Sequence, residues 1–419
     1  MRIIATGDWH LGNLFHGNDR LPEHKHFLNW LLEKIGEKQP DALLIAGDIF
    51  DNGNPSAASQ SAYYEFLADA TAICPKMQIV ITSGNHDSAS RLEAPRPLLS
   101  RHKVEIRGRV HRVWQDDGWV NDYDDLIIPV NDEDGMQIVI LAVPFLRSDI
   151  IQNENYSKGV GAFLEELTAR AKELYPGNRM LMMAHMYAKG ADIAKVDASE
   201  KIVIGGQEEI QMDGWTSHPD YLTCGHIHKR QHIRNTDWAR YTGSILPMSF
   251  AEAGYRHGVD LVTMTPDNHP SVEFIEYQPQ HKLIILPDTE GEITLAKLRR
   301  IINDNLRPRQ ENGGLSESFD YVMLKVRLAK INNDIIKELE DLVNSKDAVL
   351  CKIQKVMPGI DVSTISDNQK ITSVDDILAR DPMDTLREAY QLEYQEEMSD
   401  LQTKMLQELL QGIVNQTND

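Results

Sequence analysis

Five short segments of this 419-residue chain carry His, Asp and Asn side chains in one recurring local setting. They are Asp8-Trp9-His10, Gly47-Asp48-Ile49-Phe50-Asp51, Gly84-Asn85-His86-Asp87, Ala184-His185-Met186 and Gly225-His226-Ile227-His228. Each lies just after a run that reads as a strand, and glycines beside them allow tight turns and close backbone approach. Carboxylate and amide oxygens mixed with imidazole nitrogens form a donor set suited to manganese, iron or zinc, and less suited to calcium or to a thiolate-held ion. A lone D-x-H or H-x-H is more often a surface turn or a satisfied core histidine than a ligand. Seven candidate ligands at one topological position are another matter. In an open α/β sheet the carboxyl ends of neighbouring strands converge on one edge, so the segments are expected to meet in one crevice there.

The elements that must place them follow from the hydrophobic pattern. Strands are expected at residues 2–6, 42–46, 78–82, 137–143, 180–184 and 221–224, alternating with amphipathic stretches. Residues 24–37 read as a helix, with Phe27, Trp30, Leu31 and Ile35 on one face. Later runs at 240–245, 259–263 and 272–277 are separated by turn formers and point to a second sheet. The expected fold class is α/β, a two-sheet α/β sandwich over residues 1–280. After His281 the texture changes to strand 283–286, helix 293–306, strand 321–328, helix 333–343 and strand 349–356, a small α+β capping domain over 281–358. A turn-rich linker is expected at 359–372 and a helical tail at 373–419. Ser373-Val374-Asp375-Asp376 and Asp381-Pro382 have the form of helix starts. Met398, Leu401, Met405 and Leu409 then form an apolar stripe that needs a partner, either the chain's own body or the helices of another protein.

Bulk composition narrows the function classes. With 41% hydrophobic and 26% charged residues and no apolar run long enough to cross a bilayer, the chain is expected to be a soluble globular protein and not a membrane protein. Its N-terminus lacks the apolar core of a signal peptide, so the expected location is the cytoplasm. Cys74, Cys224 and Cys351 are too few and too widely spaced for a disulfide framework or a thiolate zinc site. The net charge of −21 counts against a protein that grips the DNA backbone alone. Residues 361–419 carry thirteen acidic against four basic side chains, so the body is less acidic than the total suggests.

The ordered set D-x-H, G-D-x-x-D, G-N-H-D, H and G-H-x-H resembles the calcineurin-like metallophosphatase superfamily. Asp8-Trp9-His10-Leu11-Gly12, Ala46-Gly47-Asp48-Ile49-Phe50-Asp51, Pro144-Phe145-Leu146-Arg147 and the long C-terminal extension narrow the resemblance to the bacterial SbcD-type DNA repair nucleases. Motifs carry it from residue 1 to about 249; beyond that it rests on order and length. The resemblance implies two divalent metal ions, manganese foremost. It assigns Asp8, His10, Asp48 and His228 to one ion and Asp48, Asn85, His185 and His226 to the other, with Asp48 as the bridge. It implies His86 as the catalytic histidine, with Asp51 as a candidate to orient it, while Asp87 would hold the loop without binding metal. It further implies a phosphodiesterase that cuts DNA, as a 3′-to-5′ exonuclease and a single-strand or hairpin endonuclease. The implied partner is an SbcC-like ATPase whose coiled coil receives the C-terminal helices, with the chain as a homodimer within a heterotetramer.

Other readings remain beside this one. The same metal cradle serves phosphatases of small phosphoesters or nucleotides, and a noncatalytic scaffold is a third possibility. Arg20, Arg91, Arg96 and Arg147 lie near or between the motifs and are candidates for phosphate contact. His16, His24, His26, His102, His111, His218, His232, His257, His269 and His281 lack a matching motif and read as surface or structural.

Overall fold

The computed structural model describes residues 1–355 apart from 116–117, 149, 152–154, 193–208, 212–217, 234–235, 289–292, 311–312 and 327–331. The expected linker at 359–372 and tail at 373–419 lie outside the described residues.

Two six-stranded sheets form the body. In the first the order is Ser271–Tyr277, His257–Thr263, Arg2–Thr6, Ala42–Ala46, Gln78–Thr82 and Val104–Arg107. The last four run parallel, and the first two join antiparallel. The second sheet runs Gln231–His232, Ala239–Tyr241, Tyr221–Gly225, Arg179–His185, Gln137–Ala142 and Ile127–Asn131, with its four inner strands parallel.

Strand alternation sorts side chains into layers. Ile3, Ala5, Ala42, Leu44 and Ala46 of the first sheet meet Ile138, Ile140, Ala142, Leu181 and Met183 of the second in a core between the sheets. Their chain neighbours Ile4, Leu43 and Ile45 face the other way, onto Phe27, Leu31 and Ile35 of helix Leu21–Lys38 and onto Tyr63 and Phe66 of helix Ala57–Ile73. On the far side Val139, Leu141, Met180 and Met182 pack under Val160, Phe163, Leu164 and Leu167 of helix Tyr156–Leu174. The result is helix, sheet, sheet, helix. Strands buried on both faces become unbroken apolar runs such as Ala42-Leu43-Leu44-Ile45-Ala46, and each large aliphatic side chain so buried contributes about 1.5–3 kcal/mol.

The later runs do not build the second sheet as expected. Only Ala239–Tyr241 joins it, whereas His257–Thr263 and Ser271–Tyr277 extend the first. Hydrophobic periodicity marks a strand but not its neighbour, and here the chain returns to pair Arg2 with Thr263 and Ala5 with Asp260.

In the small C-terminal unit, Leu283–Leu286, Asp320–Val326 and Ala348–Lys355 form a parallel sheet in that order. Helices Leu295–Asn305 and Asn333–Asn344 supply the crossovers that parallel pairing requires. One face takes Leu298, Ile302, Leu339 and Val343 of these helices; the other sets Tyr321 and Met323 against Phe15 and Phe250 of the body. The Tyr321 hydroxyl also donates to Glu23, 3.2 Å away.

Candidate metal centre

The five segments meet where the carboxyl ends of both sheets come together. Asp8, Asp48 and Asn85 follow strands of the first sheet, whereas His185, His226 and His228 lie at strand ends of the second. The crevice expected at the edge of a single open sheet is therefore shared by two. His185 Nδ1 donates to the Ala46 carbonyl across this seam at 3.0 Å. Gly47 permits the approach: its φ is +80°, and a Cβ there would lie 2.3 Å from His185 Nδ1.

Asp8, His10, Asp48 and His226 all have left-handed backbone, with φ of 51°, 47°, 48° and 97°. Such conformations cost on the order of 1–3 kcal/mol each in non-glycine residues and persist only where surrounding contacts impose them. The Asp8 N–H donates to the Gly47 carbonyl at 3.1 Å and the His10 N–H to that of Asp48 at 2.9 Å. Between them the buried Trp9 indole donates to Thr6 Oγ1 at 3.0 Å and sets its edge against Phe66.

Asp48 occupies the middle. Its Oδ2 lies 3.3 Å from His185 Nε2 and 3.7 Å from His10 Nε2, and its Oδ1 accepts the His86 backbone N–H at 2.8 Å. Donor atoms of Asp8, His10 and His228 lie within 4.8 Å of one another, as do those of Asp8, Asp48 and His185 and those of His10, Asp48 and His86. Asn85 Oδ1 lies 3.0 Å from both His185 Nε2 and His226 Nδ1. All seven candidate ligands are thus brought together, with Asp8, Asp48, His10, His185 and His228 buried.

The electrostatics fit a cation site. Burial raises the Asp8 carboxyl above its ordinary range. Burial also works to raise Asp48, but His185, His10 and His86 outweigh it and hold that carboxyl low. In return, Asp48 and Asp8 hold the His185 imidazole up at about 9 against its own burial. Burial, aided by the neighbouring His185, pushes His226 down to about 3. Asp8 Oδ2 and His10 Nε2 are buried without a hydrogen-bond partner. Buried polar atoms normally find one, so a carboxylate oxygen and an imidazole nitrogen left over in one pocket match what a divalent cation accepts.

Around the ligand set, Asp87 takes three backbone N–H groups, from Ile49 (3.1 Å), Phe50 (3.0 Å) and Gly84 (2.9 Å), and so ties the second motif loop to the third. His86 Nδ1 donates to the main-chain carbonyl of Asp51 at 2.8 Å. The Asp51 carboxylate is occupied elsewhere, accepting from the Asn13 amide at 2.9 Å with its Oδ1 3.6 Å from His10 Nδ1. Any orientation of His86 by Asp51 therefore comes from its backbone, because the side chain turns toward the first motif loop.

Sequence reasoning missed Glu252. Fully buried, it lies 3.1 Å from His228 Nδ1 and also accepts the Met248 N–H at 2.8 Å, which turns His228 Nε2 toward the site. It lies 24 residues beyond His228, in a stretch that carries no local signal. Among the arginines, Arg20 is corrected: it is fully buried, pairs with Glu23 at 2.8 Å and bonds the Pro247 carbonyl, so it holds the fold and does not face a substrate. Arg96 is paired with Asp125, and Arg91 donates to Asn54. Arg147 is exposed on a cleft beside the site.

Comparison with known proteins agrees with this geometry. The family model for calcineurin-like phosphoesterases matches residues 1–230. The SbcD nuclease subunit of the SbcCD complex from Rhodobacter capsulatus is 36% identical over 275 residues, 63% of this chain and 66% of that protein, just under two thirds of its length. The corresponding subunits from Escherichia coli K12 and Bacillus subtilis are 29% and 30% identical, covering 70% and 64% of this chain and 72% and 67% of those proteins. Among solved structures, the protein TT1561 of Thermus thermophilus gives a TM-score of 0.35 at 12% identity over 65% of this chain and 98% of that one.

Proposed function

This chain belongs to the calcineurin-like phosphoesterase family, with SbcD nuclease subunits among its relatives, and from that premise we propose that it is a metal-dependent phosphodiesterase that cuts DNA. The observation that carries the reading is the position of Asp48, a buried carboxylate between the imidazoles of His10 and His185. Asp8, His10, Asp48 and His228 hold one divalent ion, and Asp48, Asn85, His185 and His226 hold a second, with manganese the first candidate for both. When bound, such a pair lowers the pKa of a water and neutralises charge that builds on the phosphate oxygens.

The chain's own groups supply the rest. With its Nδ1–H committed to the Asp51 carbonyl, His86 presents Nε2 as the ring atom that gives a proton to the departing sugar oxygen. Its backbone N–H, bonded to Asp48, fixes that ring relative to the ligand set. Asp87 keeps the loops of Asp48 and Asn85 in register, and Glu252 keeps His228 in its ligating orientation.

The activity is exonuclease on DNA ends and endonuclease on single strands or hairpins. The partner is an SbcC-like ATPase whose coiled coil receives residues 373–419, and the assembly contains two copies of this chain. Among the described residues no helix is long and apolar enough to cross a membrane. His86→Ala tests the reading. With manganese supplied, cleavage of a linear DNA end should fall about 10²- to 10⁴-fold while manganese affinity is kept. Undiminished cleavage would remove His86 from the chemistry.

A further inference from the structure

A cleft of about 710 Å³ opens beside the metal centre. Ser83, Gly84 and Phe145 line it together with Arg109, Arg112 and Arg147. Gly84 precedes Asn85, the Phe145 N–H donates to the Ser83 carbonyl at 2.9 Å, and the Phe145 ring lies 6.1 Å from that of His185. One wall of the cleft is thus continuous with the ligand set. A second cavity of about 490 Å³ shares Arg112 and Ile150 with the first and is lined further along by Trp119, Tyr123 and Phe163. The two adjoin at Arg112 and Ile150 and together reach from Gly84, beside the ligand set, to a β-hairpin.

That hairpin pairs Arg112–Gln115 with Gly118–Asn121 and sets Trp114 opposite Trp119. The two rings are 5.6 Å apart, edge to face, and 61% and 62% exposed. Strand alternation puts Arg112 and its partner Asn121 on the same face as both tryptophans. Two solvated indoles on a two-stranded ribbon do nothing for the core, and rings this exposed mark a surface kept for a ligand.

The chemistry of the groove selects the occupant. In a chain of net charge −21, the path from the ligands to the hairpin carries three guanidinium groups, of which those of Arg109 and Arg147 belong to exposed side chains. Two carboxylates accompany these three guanidinium groups: Glu93, 3.4 Å from Arg109 and 3.3 Å from His111, and Glu166, which lines the second cavity. Guanidinium groups bind phosphate oxygens in bidentate fashion, and exposed aromatic faces stack on bases whatever their sequence. Guanidinium groups leading on to exposed aromatic faces suit a single nucleic acid strand; an apolar protein face would need contiguous apolar surface instead. Only unpaired or terminal bases offer a face to an indole.

We infer that the Trp114–Trp119 hairpin stacks on unpaired or terminal bases of the strand whose phosphates pass Arg112, Arg109 and Arg147 on the way to the metal centre, which favours substrates with a single-stranded stretch beside the cut. The inference rests on the nuclease reading above.

The test uses the full chain with manganese and the double variant Trp114→Ala/Trp119→Ala, its fold checked by thermal melting. Binding to a labelled single-stranded oligonucleotide should weaken about tenfold or more, and blunt duplex binding much less. The ratio of DNA cleavage to hydrolysis of bis(p-nitrophenyl) phosphate should fall by a similar factor, and phenylalanine at both positions should restore most of it. If single-strand affinity and this ratio match wild type, the inference is overturned while the nuclease reading stands. Unchanged DNA affinity with lost binding to the ATPase partner, or to a second copy of the chain, overturns it equally, since the hairpin would then be a protein contact. Wild-type protein that hydrolyses the small diester but leaves every DNA intact would instead overturn the nuclease reading itself.

Discussion

Replacing Gly84 by alanine should disable the metal centre through steric displacement of Asp48 alone. A Cβ at Gly84 would sit 2.1 Å from Asp48 Oδ1 and 2.3 Å from the Asp48 backbone nitrogen, where real Cβ contacts almost never fall below 3.0 Å. Those gaps must open by about 0.7–0.9 Å, and no long flexible side chain is available to yield, because one contact is backbone and the other is the short, buried Asp48 carboxylate. A misplacement of about 1 Å at a reacting centre costs on the order of 10²-fold in rate. Overpacking of this kind costs about 1–3 kcal/mol of stability, too little to unfold a body built on two sheets and three large helices. The assay is cleavage of a linear DNA end with manganese, beside calorimetric titration of the ion and a melting curve. Expected is a folded variant with activity down about 10²-fold and weakened manganese binding. A folded Gly84→Ala protein with affinity and rate within about threefold of wild type would refute the claim that Asp48 must lie where it does.

Two further outcomes follow from the surroundings of the site. Glu252→Gln keeps the shape but removes the charge beside His228 Nδ1, so manganese affinity should fall about 10- to 100-fold by calorimetry; an unchanged affinity would show that the contact does not support the ligand. Arg20→Met leaves the Glu23 carboxylate buried without its cationic partner, which should cost about 3–5 kcal/mol in urea unfolding, with little change in the salt dependence of DNA binding. A DNA-binding defect in a protein of wild-type stability would return Arg20 to the phosphate-binding set.

Much of this was legible in the chain because the physics that builds the core also writes the pattern. Strands buried on both faces become apolar runs, and residues 3–5, 42–46 and 79–81 carry that mark inside strands whose ends fall where the pattern places them. Helix Leu21–Lys38 begins three residues before its apolar stripe suggests, with Pro22 in its first turn, and it ends on Gln39 in the left-handed region. Ligand-type side chains stood out because a metal centre needs many polar groups beside strands that otherwise exclude them.

What escaped depends on contacts between distant residues. Nothing local distinguishes Glu252 from a solvated glutamate, or Arg20 from an arginine on the surface, until the fold closes over them. The side of Asp51 that meets His86 is likewise a matter of loop geometry, which residue type does not encode. Sheet membership of residues 257–277 is a choice of partner strand, which the hydrophobic pattern of the run itself does not encode.

Electron paramagnetic resonance of the metal-stripped chain titrated with manganese addresses the central claim most directly. Two ions that share the Asp48 carboxylate should give the spectrum of an exchange-coupled pair as the second ion binds, and Asp48→Asn should abolish that coupling. Only isolated-ion signals across the whole titration, or a coupled spectrum that survives the substitution, would contradict the account.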